Sequence, residues 1–163
     1  MAGYSLLCYF LQIKDRHNGN ILLDSQGHMI HVDFGFLFSN SPGNLNFESQ
    51  TFKLTSEYVE VLGGQRSKLF NKFKSLMVKG FMTLREHADE IIAFVEMTMI
   101  SGVDLPCFVG KERVISSLRD RFKLNLSNAE CKQFVLKMIE DATDNWRTRW
   151  YDKYQQVTVG IWE

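Results

Sequence analysis

The stretch KDRHNGNILLDSQGHMIHVDFGF, residues 14–36, places Asp15, Arg16, His17 and Asn20 together and brings Asp33 in soon after, just before Phe34-Gly35. Either this is a polar loop beside an ordinary hairpin, or it is a site that holds a metal–nucleotide complex. Phosphoryl transfer needs a group to take or orient the acceptor proton, oxygen ligands for a divalent cation, and a hold on the phosphates. Mg²⁺ favours hard oxygen donors, commonly one or two carboxylates completed by substrate phosphates. Asp33 offers a carboxylate and Asn20 a carbonyl oxygen. His17 has the side chain best poised to exchange a proton near neutrality, and Asp15 can orient it or act as the base itself. Arg16 is suited to steadying nearby carboxylates or the loop backbone. Each piece alone is a weak signal. Asp-x-His-x-x-Asn, a hairpin, then Asp-Phe-Gly is specific, because order, spacing and local structure must all agree.

Around that stretch the local structure can be read outward. The apolar run from Tyr4 to Ile13, broken only by Ser5 and Gln12, stops at the charged KDRH. It has no basic start and is too short to span a bilayer, so it reads as a buried helix rather than a signal peptide. ILLD (21–24) and HMIHVDF (28–34) read as two short strands around a turn made by Gly27. Met29, Ile30 and Val32 supply the β-suited bulk. Residues 36–53 show no periodicity and form a long irregular loop of the kind that usually carries function.

The remainder is helical. TSEYVEVLGG (55–64) ends at a glycine pair, and residues 67–102 suit two helices broken near Gly80. Residues 101–110 form a linker, and residues 112–122 an amphipathic helix. Ser127 with Glu130 makes a capping box opening a helix that runs to about Trp150. Phe70, Phe73, Met77, Phe81 and Leu84 are a core stripe. Arg119, Asp120 and Arg121 read as a solvated helix face, and His28 and His87 are assigned no chemistry. The fold class is therefore α+β, mostly helical.

Composition narrows the function. With 163 residues, 45% hydrophobic and 13% aromatic, the chain can bury a core as one domain or one lobe. Nineteen basic residues balance nineteen acidic ones, so nothing electrostatic favours nucleic acid as a partner. Cys8, Cys107 and Cys131 lack metal or disulfide spacing, which fits a reducing, cytoplasmic compartment.

KDRHNGNILLD and GHMIHVDFGF together closely resemble the catalytic loop and the start of the activation loop in the phosphatidylinositol kinase superfamily. There the order is Asp-Arg-His-x-x-Asn, inverted from the His-Arg-Asp of ordinary protein kinases. The resemblance implies the C-terminal lobe of a protein-kinase-like catalytic domain across residues 1–163, with a catalytic loop at 14–20 and an activation loop at 33–55. It implies catalytic roles for Asp15, His17 and Arg16, cofactor and metal contacts at Asn20 and Asp33, and a substrate-loop role for Lys53. The implied cofactors are ATP and Mg²⁺ or Mn²⁺.

Branch markers refine the resemblance. Phosphatidylinositol 3-kinases usually carry Gly before the Asp-Arg-His and His after the Asp-Phe-Gly; here those positions hold Lys14 and Phe36. With SPGNL (41–45), FKLT (52–55), the glycine pair at 63–64 and LPCF (105–108), the chain is similar to type III phosphatidylinositol 4-kinases. FKLTSEYVEVLGG and YDKYQQVTVGIW lean to the beta, Golgi-type form over the alpha. The implied activity is ATP-dependent phosphorylation of phosphatidylinositol at its 4-hydroxyl, on the periphery of Golgi or plasma membranes. One physical strand agrees with it: Lys53 is the single cation between Asp33 and Thr55, too few to favour a multiply phosphorylated headgroup.

Two further expectations remain. No residue before Tyr4 supplies a phosphate-covering loop or its lysine, so an N-terminal lobe is expected to be absent and the isolated chain inactive. The alternatives are a kinase-like interaction module without turnover, or a lobe related to 3-kinases. Trp146 is read as core. For Trp150, Tyr154, Val157 and Ile161, beside Arg147, Arg149 and Lys153, core and membrane interface stay open, with the resemblance tilting towards membrane.

Overall fold

A computed structural model describes residues 1–40, 51–101 and 104–143. The order is α1 (Ala2–Leu11), a 3₁₀ turn (Asn18–Asn20), β1 (Ile21–Leu23), β2 (Met29–His31), α2 (Ser56–Val61), α3 (Lys68–Glu86), α4 (Ala88–Ile100), a second 3₁₀ turn (Pro106–Phe108), α5 (Lys111–Arg121) and α6 (Asn128–Thr143). The two strands pair antiparallel with Ile21 opposite His31 and Leu23 opposite Met29. The chain is thus mostly helical with a small two-stranded sheet, as the sequence implies.

The apolar run that opens the chain becomes α1, which buries Leu6, Cys8, Tyr9 and Phe10. It lies against α3 and α5. Aromatic rings dominate the junction: Phe10 packs on Phe122 at 4.6 Å between ring centroids and on Phe81 at 5.2 Å, while Tyr9 meets Phe10 edge-on. Such tilted and edge-on pairs add to the gain from burying the rings themselves.

The predicted core stripe is buried at Phe70, Phe73, Met77 and Phe81, and Leu84 packs partly buried against it. Ser67 starts α3 by accepting the Phe70 amide at 2.9 Å. The capping box at the start of α6 is complete, with Ser127 N donating to Glu130 at 2.8 Å and Glu130 N donating to Ser127 Oγ at 3.3 Å. Trp146, Trp150, Tyr154, Val157 and Ile161 lie outside the described residues, as does the end of the predicted α6.

Two expectations are corrected. α3 runs unbroken through Gly80 and ends at Glu86, the break falling at His87 instead. Glycine at 80 serves packing: a Cβ there would stand 2.5 Å from Leu6 Cδ1, so its absence lets α1 approach α3 closely. Arg121, read as part of a solvated face, is buried. Its guanidinium donates to the Phe10 carbonyl near the end of α1 at 2.7 Å and to Ser117 Oγ at 2.8 Å, and Tyr9 donates its hydroxyl to the Arg121 carbonyl at 2.9 Å. Burial lowers the Arg121 pKa to about 10, which still leaves it charged at neutral pH. The solvated-face reading holds for its neighbours Arg119 and Asp120, which are both exposed, and Arg119 pairs with Asp89 at 3.1 Å.

Gly80→Val should cost about 1–3 kcal/mol by overpacking against Leu6. Leu6→Ala alone should cost about 2–5 kcal/mol through the lost contacts. Because one side chain would vacate the space the other needs, the double variant should cost clearly less than the sum. Urea unfolding of the four proteins measures that coupling, and strict additivity would place the two residues out of contact.

Candidate active site

The polar loop of residues 14–20 is built by the way α1 ends. Gln12 caps the helix in a left-handed conformation, and Ile13, buried, donates its amide to the Cys8 carbonyl at 3.2 Å. Asp15 is also left-handed, at φ 61°. The loop closes when Asn20 donates its side-chain nitrogen to the Asp15 carbonyl at 2.9 Å. Non-glycine residues rarely hold this conformation, and they do so where the surroundings over-determine it.

Arg16 supplies much of that surrounding. It is buried, and its guanidinium donates to the carbonyls of Lys14 at 3.0 Å, Val32 at 2.7 Å and Asp33, while standing 5.5 Å from the centroid of the Phe34 ring. Of the two tasks the sequence allowed it, holding the loop backbone is the one the contacts show. The Asn20 carbonyl in turn accepts from Val32 N at 3.0 Å. The 14–20 loop and the residues leading into Asp-Phe-Gly are therefore joined both by side chain and by main chain.

The hairpin does the rest. Gly27, at φ 84°, turns the chain, and Asp24 pins the turn by accepting from the amides of Gln26 and His28 and pairing with the His28 ring at 2.8 Å. That contact accounts for His28 without invoking chemistry; His87 likewise pairs at 2.8 Å with exposed Glu90. After β2 the chain reaches Asp33 in a left-handed conformation, φ 54°. Asp33 is exposed, and one of its carboxylate oxygens accepts from Gly35 N at 3.2 Å.

Asn20 and the approach to Asp33 are drawn together through the main chain, with Val32 N donating to the Asn20 carbonyl and Arg16 donating to the Asp33 carbonyl. The Asn20 amide nitrogen is spent on the Asp15 carbonyl, so its carbonyl oxygen is the atom it can offer a cation. One amide oxygen together with one accessible carboxylate is, by chemistry, a donor set that fits a hard divalent ion completed by phosphate oxygens. His17 Nε2 faces Asp15 Oδ2 at 3.9 Å, too long for a direct hydrogen bond. Both side chains are mostly covered, and His17 Nδ1 is buried with no hydrogen-bond partner. Lys53 reaches the same loop from the far side, donating to Asn18 Oδ1 at 2.7 Å. Asp15, Arg16, His17, Asn20, Asp33 and Lys53 are all brought into one neighbourhood.

Sequence reasoning passed over His31. It is buried and stacks on the Tyr4 ring of α1 at 4.0 Å with only 6° between the planes. Burial, with the nearby Arg16 charge, lowers its pKa to about 4. The hairpin register turns Ile30 outward and His31 inward. Alternation along the strand carried that signal, but the sequence reading did not assign the strand's residues to faces.

Residues 1–106 match the Phosphatidylinositol 3- and 4-kinase family. The chain belongs to that family. Over 99% of its length it is 55% identical to phosphatidylinositol 4-kinase beta 1 of Arabidopsis thaliana. It is 50% identical to a phosphatidylinositol 4-kinase of Dictyostelium discoideum over its full length, and 49% identical over 98% to phosphatidylinositol 4-kinase beta of Danio rerio. The chain spans 14%, 14% and 19% of those three proteins respectively. The similarity to phosphatidylinositol 4-kinases agrees with the branch markers at Lys14, Phe36 and residues 105–108, and the beta-type names with the lean given by FKLTSEYVEVLGG and YDKYQQVTVGIW.

Between pH 6.5 and about 4 the unfolded chain binds the His31 proton before the folded one does, so acid favours unfolding. The stabilisation from a neutral His31 is complete above about pH 6.5 and lost as pH falls towards 4. His31→Phe keeps a ring on Tyr4 and has no proton to bind. Its unfolding midpoint should therefore fall less steeply across that window than that of the native protein, as urea titrations at stepped pH would read.

Proposed function

We propose that this chain is the C-terminal lobe of a lipid kinase that transfers the terminal phosphate of ATP to the 4-hydroxyl of phosphatidylinositol. The observation that supports the reading is the joining of the 14–20 loop, with its Asp15–His17 pair, to the chain that delivers Asp33. Asp33 and Asn20 would hold Mg²⁺ or Mn²⁺, which when bound neutralises charge on the phosphates during transfer. Asp33 is the stronger ligand, being a carboxylate rather than an amide.

Asp15 and His17 act on the acceptor. An inositol hydroxyl lodged against the gap between them can lie within about 3 Å of both, the reach a general base needs. One of the pair takes the proton and the other orients it. Arg16 serves by fixing the backbone on which both are mounted. Neither electrostatics nor geometry names the ring position; the 4-hydroxyl is supported by the similarity to proteins named phosphatidylinositol 4-kinases. The choice of a headgroup without extra phosphates is supported by Lys53 being the single cation between Asp33 and Thr55.

The location proposed is the cytoplasmic face of Golgi membranes, with peripheral attachment, on the strength of the likeness to beta-type enzymes. No helix among the described residues is long and apolar enough to cross a membrane.

The test uses a full-length protein carrying this chain, radiolabelled ATP, and vesicles of phosphatidylinositol or its bisphosphate, with product isomers resolved by chromatography. The expected product is the 4-phosphate of the unphosphorylated lipid. Asp33→Ala should abolish transfer while leaving the fold intact. The double Asp15→Ala/His17→Ala variant should lose little more than the worse single one, because the two share a role. A 3-phosphate product would overturn the proposed position, and preference for the bisphosphate would overturn the headgroup argument.

A further inference from the structure

The lysine that marks the branch in sequence has contacts that the reaction chemistry does not use. Lys14 lies at the junction of α1 and the catalytic loop and is half-buried. Its amide donates to the Phe36 carbonyl at 3.0 Å, and its ammonium donates to the Phe38 carbonyl at 2.9 Å and the Asn40 carbonyl at 3.0 Å. Two carbonyls two residues apart can point at one cation only if the chain between them is bent. Phe38 is in fact left-handed, at φ 47°. Residues 38–40 therefore bend around the Lys14 head group.

Other contacts hold the same segment in register. Phe38 N donates to the Leu11 carbonyl at 2.9 Å, and the buried Phe38 ring stacks on Phe108 at 5.8 Å. Ser39 Oγ donates to the Cys107 carbonyl at 3.0 Å. The proline-led 3₁₀ turn, Pro106–Phe108, thus backs the segment through Cys107 and Phe108. Where the chain returns, Lys53 Nζ meets Asn18 Oδ1 of the catalytic loop at 2.7 Å. The activation loop is fastened to the catalytic loop at both its departure and its return.

We propose that Lys14 is a positioning residue that, with the Asn18–Lys53 contact, clasps both ends of the activation loop to the catalytic loop and so sets where the lipid headgroup meets Asp15 and His17. The proposal rests on the lipid-kinase reading above for its substrate. It also gives Lys53 a task other than gripping the headgroup. An ammonium hydrogen-bonded to two carbonyls is a charge-assisted arrangement, stronger than neutral pairs and lost entirely when the head group is removed. The backbone that carries Asp15 and Asp33 does not depend on Lys14 side-chain contacts, because Arg16 and Asn20 hold its carbonyls. A clasp acting on the loop alone should therefore separate lipid from nucleotide.

The experiment compares Lys14→Met, Lys14→Arg and Asn18→Ala with the native sequence in a full-length protein carrying this chain, using ATP and mixed micelles of phosphatidylinositol. Lys14→Met should raise the lipid KM, or lower lipid-dependent kcat, by about tenfold or more, the scale of one lost charge-assisted bond. The KM for ATP should stay within about twofold, since uniform damage would move both. Lys14→Arg, which keeps a donor cation, should recover most of the loss. Asn18→Ala, at an exposed site, should reproduce the lipid-selective effect without risk to the fold. Amide hydrogen exchange supplies a readout free of catalysis: Phe38 and Asn40 should exchange faster by about tenfold in Lys14→Met. Native lipid kinetics in Lys14→Met and Asn18→Ala, or equal losses for ATP and lipid, would overturn the clasp, as would unchanged exchange at Phe38 and Asn40. If the native protein phosphorylates no lipid, the substrate reading fails while the exchange comparison still decides the clasp.

Discussion

A buried guanidinium gathering the carbonyls of Lys14, Val32 and Asp33 is the contact on which the candidate site depends. Burying a cation is costly unless its donors are met. Here they are met by main-chain oxygens from two separate segments, so the charge is tolerated only when those segments are together. The same residue thus carries a penalty for the open loop and a reward for the closed one. Removing it would leave three inward-facing carbonyls without their donor and set the loop adrift from the strand that delivers Asp33.

Everything beneath that contact is arranged to present it rigidly. α1 must end at a fixed height for Leu11 and Lys14 to meet residues 36–40, and its position is set by Gly80 on one side and by Arg121 on another. Arg121 donates to a carbonyl in the last turn of α1, where the helix has acceptors to spare and its dipole favours a cation. The two arginines repeat one principle at different depths. Each satisfies backbone oxygens that the ends of elements leave over, and each replaces water where water has been excluded.

Much of this was legible in the chain itself. The opening helix, the hairpin, the start of α3 and the capping box at Ser127 follow from local rules, because a few neighbouring residues decide them. The six polar positions were legible as a group, since their order is tied to a chemistry. What escaped depended on contacts distant along the chain. Gly80 looked like a helix break because local propensity counts glycine as a cost, whereas Leu6, far earlier, makes it a clearance. Arg121 looked solvated because charge patterning along one helix says nothing about the end of another helix packed across it. The inward placement of His31 beside outward Ile30 escaped because strand register, which pairs distant residues, decides which face each takes.

Asp15 and Asp33 both hold left-handed backbone conformations that glycine would adopt without strain. Each aspartate costs the fold on the order of 1 kcal/mol for that geometry. A variant library sorted for thermal tolerance alone would accordingly drift towards glycine at these two places, discarding the carboxylates while improving the scaffold. Robustness and chemistry compete at the same pair of dihedral angles. Any engineering of this lobe for durability must look for its gains elsewhere and leave those two residues under tension.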